Sequence, residues 1–416
     1  MATPVREIEV FFTRDPDISW PVGILAAQGR RLFFEYNPDW LKRNLELSPL
    51  NLPLKPGLFE HQQREFGPLF GLFDDSLPDG WGLLLMDRYF RKAGLNPASL
   101  SPLDRLLYLG HRTMGALTYH PSMKPNPLIA DQLNLHELAS HSQQVLAGSE
   151  VEILPLLLRA GGSPGGARPK VLVGYNPQDQ TLVSGEENLA SGFEPWIIKF
   201  SNWEEGHDAG PVEHAYALMA AAAGIEMPHT RLFKTQEGDA FFGVKRFDRG
   251  PGNRRYHIHT FGNLIQSNFR IPACDYSDLL KVTQLLTHNH ADLLRAFRLM
   301  IFNVLSFNRD DHAKNFSFIF DDITAQWALS PAYDLTFSVG PGGEHSTTVA
   351  GEGRAPAKNH FEKLAKLYGI SEKELEGIIN DVAEAVGRWP EFAEKAGVSE
   401  KRINHIAGYL TGTSAN

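Results

Sequence analysis

The chain is almost without cysteine. Cys274 stands alone among 416 residues, so no disulfide can form within the chain. Such usage fits a reducing compartment, and the cytoplasm is the expected location. Long apolar runs are missing as well. No uninterrupted stretch approaches the roughly 18 residues that a spanning helix needs, so no membrane association is expected. The opening MATPVREIEVFF lacks the long apolar region of a secretory signal. Positive charge is not in excess either, because the formal net charge is −9. That balance excludes a chain that coats nucleic acid by charge alone. It leaves room for a local basic patch, or for DNA contact through a partner. Internal repeats and low-complexity tracts are also absent.

What is present is ordinary globular material, 42% hydrophobic and 21% charged, enough for a real core. The length exceeds one typical domain. Three units are expected: residues 1–125, 126–250 and 251–416. Residues 7–35 alternate apolar and polar positions around a hairpin turn at Ala26–Gly29. Residues 36–60, rich in Pro, Leu and Asn, read as a loop. Helices are expected at 81–91 and near 135–146, with a linker in PSMKPNP. Beyond it, strands are expected at 169–175, 194–200, 229–234 and 240–247. A helix at 212–223 interrupts them and stops at Gly224. From about 275 onward the chain reads as mostly helical, at 278–286, 291–305, 361–368, 372–386 and 399–410. Short strands at 316–320 and 326–329 flank a polar loop.

That loop, FNRDDHAKNFS, spans Phe307–Ser317. Asp310 precedes Asn315 by five positions, with His312 and Lys314 between them, and Asp334 follows inside SPAYDLT. An Asp, an Asn at the fifth place after it and a downstream Asp form the layout of a kinase catalytic loop and metal site. Asp310 would accept the proton of an attacking hydroxyl. Asn315, by its amide oxygen, and Asp334, by its carboxylate, would hold Mg²⁺. His312 and Lys314 would sit near charge developing on the γ-phosphate, or orient the loop. Alone, such spacing more often marks polar turns and caps. The helix before it, the apolar strand after it and Asp334 downstream favour the chemical reading. Asp311 is assigned no chemical role.

The run AGGSPGGARPK, Ala160–Lys170, lies between an apolar stretch and a strand. Glycines let backbone N–H groups approach phosphate closely. No GK[ST] follows, so this is not a Walker A loop, and a plain flexible loop is the rival reading. Ser163 sits within the run, where a phosphate would change its charge and fit. Lys199, in the apolar strand WIIKF, wants an anionic partner. Glu213 is the natural candidate, although it also suits a helix first turn. Lys199 facing outward on an alternating strand is the competing reading. The strand AFFGVKRFDR reaches Lys245 and Phe247, where a kinase hinge would bind adenine. Ordinary core packing is the rival for Phe247. Arg246, Arg249, Arg254 and Arg255 read as a solvated face. His257, His259, His288 and His290 lack a further ligand at a fixed position, so zinc is not expected.

Taken in order, these elements resemble the HipA family, the serine/threonine kinase toxins of bacterial HipBA-type toxin–antitoxin pairs. LFDDSLPDGWG and LGHRTMGALTY resemble the family's N-terminal subdomain. GGSPGGARPKVLV, EPWIIKF, VKRFDR, FNRDDHAKNFSF and LSPAYDLT resemble its kinase core. The resemblance implies an α+β, bilobal protein-kinase-like fold, with a small β-rich N-terminal subdomain and a mostly helical C-terminal lobe. It implies ATP and Mg²⁺ as cofactors. Asp310 would be the catalytic aspartate, Asn315 and Asp334 would bind Mg²⁺, and Lys199 would contact the ATP phosphates. Gly165, Gly166 and Ala167 would belong to the phosphate loop, with Lys170 retained after it. Ser163 matches the family's autophosphorylation site, and His312 and Lys314 match positions of its catalytic motif. Arg168-Pro169 and Lys245 depart from some relatives, which touches nucleotide affinity more than reaction type. The implied partners are a small helix-turn-helix antitoxin, operator DNA mainly through that complex, and a protein substrate such as an aminoacyl-tRNA synthetase. Two rival functions are a small-molecule kinase of the aminoglycoside type and a pseudokinase acting as a corepressor module. Labelling of added sugars but not proteins would favour the first. Nucleotide binding without transfer would favour the second.

Overall fold

Alternation at the amino end builds an antiparallel sheet. In β1 (Val5–Thr13) Ile8, Val10 and Phe12 are buried while Glu7 and Glu9 face solvent. The structure, a computed structural model, describes residues 5–63, 65–122, 133–148, 157, 165–185, 188–201, 206–271 and 273–413. The strands β1, β2 (Ser19–Gln28), β3 (Arg31–Tyr36), β4 (Leu58–Glu60) and β5 (Leu117–His120) pair in the order β4-β3-β2-β1-β5. Gly29, at φ 63°, makes the expected turn between β2 and β3. The stretch 36–60 is more ordered than its composition suggests, with a helix at Pro38–Arg43 as well as β4. Asn37 caps that helix by accepting from the Asp39 N–H at 2.8 Å, and Pro38 opens its first turn.

A second five-stranded antiparallel sheet follows. It contains β6 (Lys170–Tyr175), β7 (Leu182–Ser184), β8 (Glu194–Lys199), β9 (Thr230–Lys234) and β10 (Ala240–Lys245), in the order β7-β6-β8-β10-β9. All of β6 is buried, so Lys170 enters the interior with its strand. Lys170 lies directly opposite Lys199, which in turn lies opposite Phe242. The helix Ala209–Ala222 packs beside this sheet and the helix Trp389–Ala396. It buries residues nearly all round and gives way to Gly224 at φ 74°.

The remainder is mainly helical, with helices Tyr276–Thr287, His290–Leu305, Lys358–Tyr368, Glu372–Gly387 and Glu400–Thr413. The helix Trp389–Ala396 was not expected; Pro390 in its first turn marks its start. A three-stranded sheet, β11 (His257–Thr260), β13 (Ser317–Asp321) and β14 (Gln326–Leu329), is ordered β11-β13-β14. A short parallel pair joins β12 (Cys274–Asp275) to β15 (Thr347–Thr348). Among the described residues no helix is long and apolar enough to cross a membrane. One continuous core runs from Phe12, Phe34 and Phe73 of the amino-terminal part to Phe261, Leu280 and Phe302 of the helical part. A second core gathers Val171, Ile198 and Phe241 with Trp81 and Leu85 of the helix Gly80–Lys92. The amino-terminal part therefore packs into both cores.

The arginine cluster is not a solvated face. Arg246 and Arg255 are buried, and Arg249 is only 14% exposed in its ion pair with Asp248. Arg246 makes a bidentate pair with Asp248, at 2.8 and 2.7 Å. Arg255 donates to the carbonyls of His111, Thr113 and Gly115. Arg254 reaches Asp322 at 2.9 Å. These cations stay buried because a carboxylate and turn carbonyls of the amino-terminal part satisfy their donors. Charged residues near each other in sequence cannot reveal that.

Candidate active site

Lys199 and Glu213 meet because β8 and the helix Ala209–Ala222 face each other. Lys199 Nζ lies 2.5 Å from Glu213 Oε1 and 2.5 Å from Asp334 Oδ1. The second Glu213 oxygen accepts from Arg168 at 2.6 Å. Glu213 is 1% exposed, so two cations neutralise a fully buried carboxylate. Arg168, one of the departures from the family pattern, thus completes this ion-pair set. Lys199 faces inward, which removes the outward-strand reading.

Asp334 sits at φ 58°, a left-handed conformation uncommon for a residue other than glycine. Its side chain is 37% exposed. Burial of the carboxyl pushes its pKa up, but Lys199, Lys170 and Arg168 outweigh that and hold it well below the usual carboxylate range. Burial pushes Lys199 down, yet Asp334 and Glu213 raise it on balance, so it stays charged. Lys170 has no such partner among the described residues. Burial and the nearby Lys199 bring it down to about 8, and its ammonium donates to the Gly165 carbonyl. The loop Gly165–Lys170 is wound around that ammonium.

The loop after the helix His290–Leu305 carries Asp310 and Asn315. Asn315 Nδ2 donates to the Asp310 carbonyl at 2.6 Å, which leaves the amide oxygen available to a cation. Asp310 is an exposed residue. Desolvation by the surrounding protein raises its pKa; Asp334 and Asp311 push the same way, while His312 and Arg168 oppose. A carboxyl raised in this manner is a better proton acceptor. His312 packs against Phe269 at 5.3 Å, and its Nδ1 is buried with no hydrogen-bond partner among the described residues. Lys314 pairs with an acid outside its own loop. Its ammonium lies 3.1 Å from Asp74 and over the Phe269 ring at 4.8 Å.

Asp311, given no role above, is the anchor of this loop. It is buried and accepts from Tyr276 Oη at 2.7 Å and from the Ser346 N–H at 2.8 Å; His345 Nδ1 lies 2.8 Å away. Its partners are distant in sequence, so spacing offered no signal for it. Lys245 Nζ pairs with Glu194 at 2.7 Å, on the strand end remote from Lys199. The N–H groups of Lys245 and Arg246 are taken by the carbonyls of His229 and Pro195, at 2.8 and 2.9 Å. Phe247 packs on Tyr333, next to Asp334, with ring centroids 5.7 Å apart. Gly165, Gly166 and Ala167 lie on the loop leading into β6, whereas Ser163 lies outside the described residues.

No group of three or more His, Cys, Asp or Glu side chains that could hold a metal occurs among the described residues. Asn315 and Asp334 nevertheless fit Mg²⁺. They are hard oxygen donors, and this ion commonly takes one or two protein ligands and fills the rest with water and phosphate. Ser48, His259 and Asp75 line up as hydroxyl, imidazole and carboxylate, at 3.0 and 2.6 Å. Ser48 is 2% exposed, so this set is an interior strut rather than a nucleophile.

Residues 162–390, more than half of the chain, match the family described as HipA-like C-terminal domain. The chain belongs to the HipA family. Residues 18–120 match the HipA N-terminal domain. Two relatives of this HipA-family chain come from Sinorhizobium fredii. "Putative kinase Y4dM" is 29% identical over 378 residues, covering 85% of this chain and 82% of the relative. "Putative kinase Y4mE" is 26% identical over 415 residues, covering 91% of each. A solved complex of Shewanella oneidensis HipA with HipB and operator DNA superposes with a TM-score of 0.71 at 16% identity, covering 97% of this chain and 95% of the other. At that identity the likeness shows the α+β fold of HipA.

Proposed function

We propose that this HipA-family chain is an ATP- and Mg²⁺-dependent protein serine/threonine kinase of bilobal design, the toxin of a type II toxin–antitoxin pair. The observation that carries this is Lys199 held between Glu213 and Asp334, at 2.5 Å from each. A strand lysine paired with a helix glutamate is the arrangement that positions ATP phosphates in kinases, where a separate aspartate holds the metal. Lys199, with Lys170 and the Gly165–Ala167 loop, would hold those phosphates. Asn315 and Asp334 would hold Mg²⁺, which neutralises phosphate charge when bound. Asp310 would accept the proton of the substrate hydroxyl as its oxygen bonds to the γ-phosphorus and the bond to the ADP oxygen breaks. His312 would sit near charge developing on the γ-phosphate or orient the loop. Phe247 would pack near the nucleotide.

The finer assignments rest on the family and on chemistry. Ser163 would be the autophosphorylation site. The partner would be a small helix-turn-helix antitoxin. Support comes from the Shewanella HipA, which was solved with HipB and operator DNA. With a net charge of −9 on this chain, DNA contact falls mainly to the antitoxin. A cytoplasmic aminoacyl-tRNA synthetase is the proposed class of protein substrate. The test is Asp310→Asn with radiolabelled ATP. The variant should bind the antitoxin and melt normally, yet transfer no label. Retained self-labelling would refute the assignment.

A further inference from the structure

The helix Gly80–Lys92 begins abnormally. Its N-cap residue, Asp79, makes no side-chain bond to its own helix, although that is what a capping aspartate ordinarily does. Asp79 Oδ1 instead accepts the Gly166 N–H of the glycine-rich loop. The Trp81 N–H, a free donor of the helix start, returns a bond to the Gly166 carbonyl at 3.1 Å. The Trp81 indole donates to the Lys170 carbonyl at 3.1 Å. Gly80 allows the approach, because a Cβ there would stand 2.7 Å from both the Ala167 Cα and the Gly166 oxygen. The other oxygen of Asp79 lies 4.0 Å from Lys314 Nζ, on the loop of Asp310 and Asn315. One carboxylate of the amino-terminal part therefore touches both loops of the site.

We infer that Asp79 is a positioning residue for phosphoryl transfer. Its carboxylate holds the Gly165–Lys170 loop by the Gly166 N–H and ties it to the Asp310 loop through Lys314. The consequence for transfer rests on the kinase reading above, while the loop-holding itself does not. The two oxygens have separable tasks. Asp79→Asn keeps an acceptor for Gly166 and loses the charge facing Lys314. Asp79→Ala loses both.

The experiment compares the full chain with these two variants. Three readouts are used: fluorescent ATP-analogue affinity, steady-state transfer, and amide hydrogen exchange of residues 165–170 without ligand. Asp79→Ala should weaken nucleotide affinity about tenfold, the size of one lost charge-assisted hydrogen bond, and speed exchange in the loop. Asp79→Asn should keep near-normal affinity and exchange but lower kcat. A purely structural role would move KM and kcat together, with no rescue by Asn. Unchanged affinity and exchange in Asp79→Ala overturn the inference, as does an Asn variant no better than Ala. Should the parent chain bind nucleotide but transfer nothing, the kinase reading falls and the affinity readout still decides. Should it bind no nucleotide, the exchange readout decides alone. If Asp79→Ala does not fold, faster loop exchange in Asp79→Asn than in the parent overturns the inference, and parent-like exchange with a lowered kcat supports it.

Discussion

Glu213→Gln is the most demanding test of the ion-pair set. The substitution keeps shape and one acceptor but removes the charge between Lys199 and Arg168, at 2.5 and 2.6 Å. Removing one partner of a buried ion pair costs about 3–5 kcal/mol. Two features reduce that here. Asp334 still neutralises Lys199, and Arg168 is 19% exposed and can turn to water. The Gln oxygen also retains a hydrogen bond, so the expected loss is about 2–3 kcal/mol. For folding units of this class the melting temperature should fall about 4–12 °C. Function should suffer more than stability. Without Glu213, only Asp334 still holds the Lys199 ammonium, which is then no longer fixed from the helix side for phosphate, so transfer should drop about 100-fold or more. Calorimetry and a radiolabel transfer assay read the two effects. An unchanged melting temperature with full transfer would refute the reasoning, because the charge of a buried carboxylate holding two cations cannot be lost silently.

Other outcomes follow from the same geometry. Asp311→Asn should destabilise by about 2–3 kcal/mol, since a buried charged acceptor with several donors is lost; Asp310→Asn should not, and denaturant titration compares them. Lys170 gains no paired carboxylate among the described residues and falls to about 8. Between there and its ordinary 10.5 the unfolded chain binds more protons than the folded one, so this group makes stability rise with pH. Its hold on phosphate is lost over that window, so KM for ATP should climb above pH 8, and Lys170→Arg should flatten the climb. Peptide mass spectrometry of the active chain should find phosphate on Ser163, absent from the Asp310→Asn protein; phosphate only elsewhere would reject that site.

Much of this was legible along the chain, and the reason is locality. The alternation in β1 and the spacing of Asp310 and Asn315 are set by neighbours a few residues apart. So are the apolar flanks of Lys199. Glu213 could be named as a partner because the helix carrying it follows β8 directly. Reading failed where the deciding contact was distant. Arg255 read as surface because its acceptors, at His111, Thr113 and Gly115, belong to another part of the chain. Asp311 read as idle because its donors sit at Tyr276, His345 and Ser346. Lys314 was expected near the γ-phosphate or orienting the loop, and its partner Asp74, 3.1 Å away, could not be named from the sequence.

By itself, then, the sequence determined the strand and helix periods, the absence of a disulfide within the chain and the spacing of Asp310 and Asn315 on one loop. These depend on backbone preference and side-chain order, which are local. The tertiary structure alone decided the partners: which of two adjacent aspartates anchors and which faces solvent, where Lys314 points, and that Asp79 caps a loop instead of its own helix. Charges choose partners by distance through space, and burial multiplies the consequence by removing the water that would otherwise screen them.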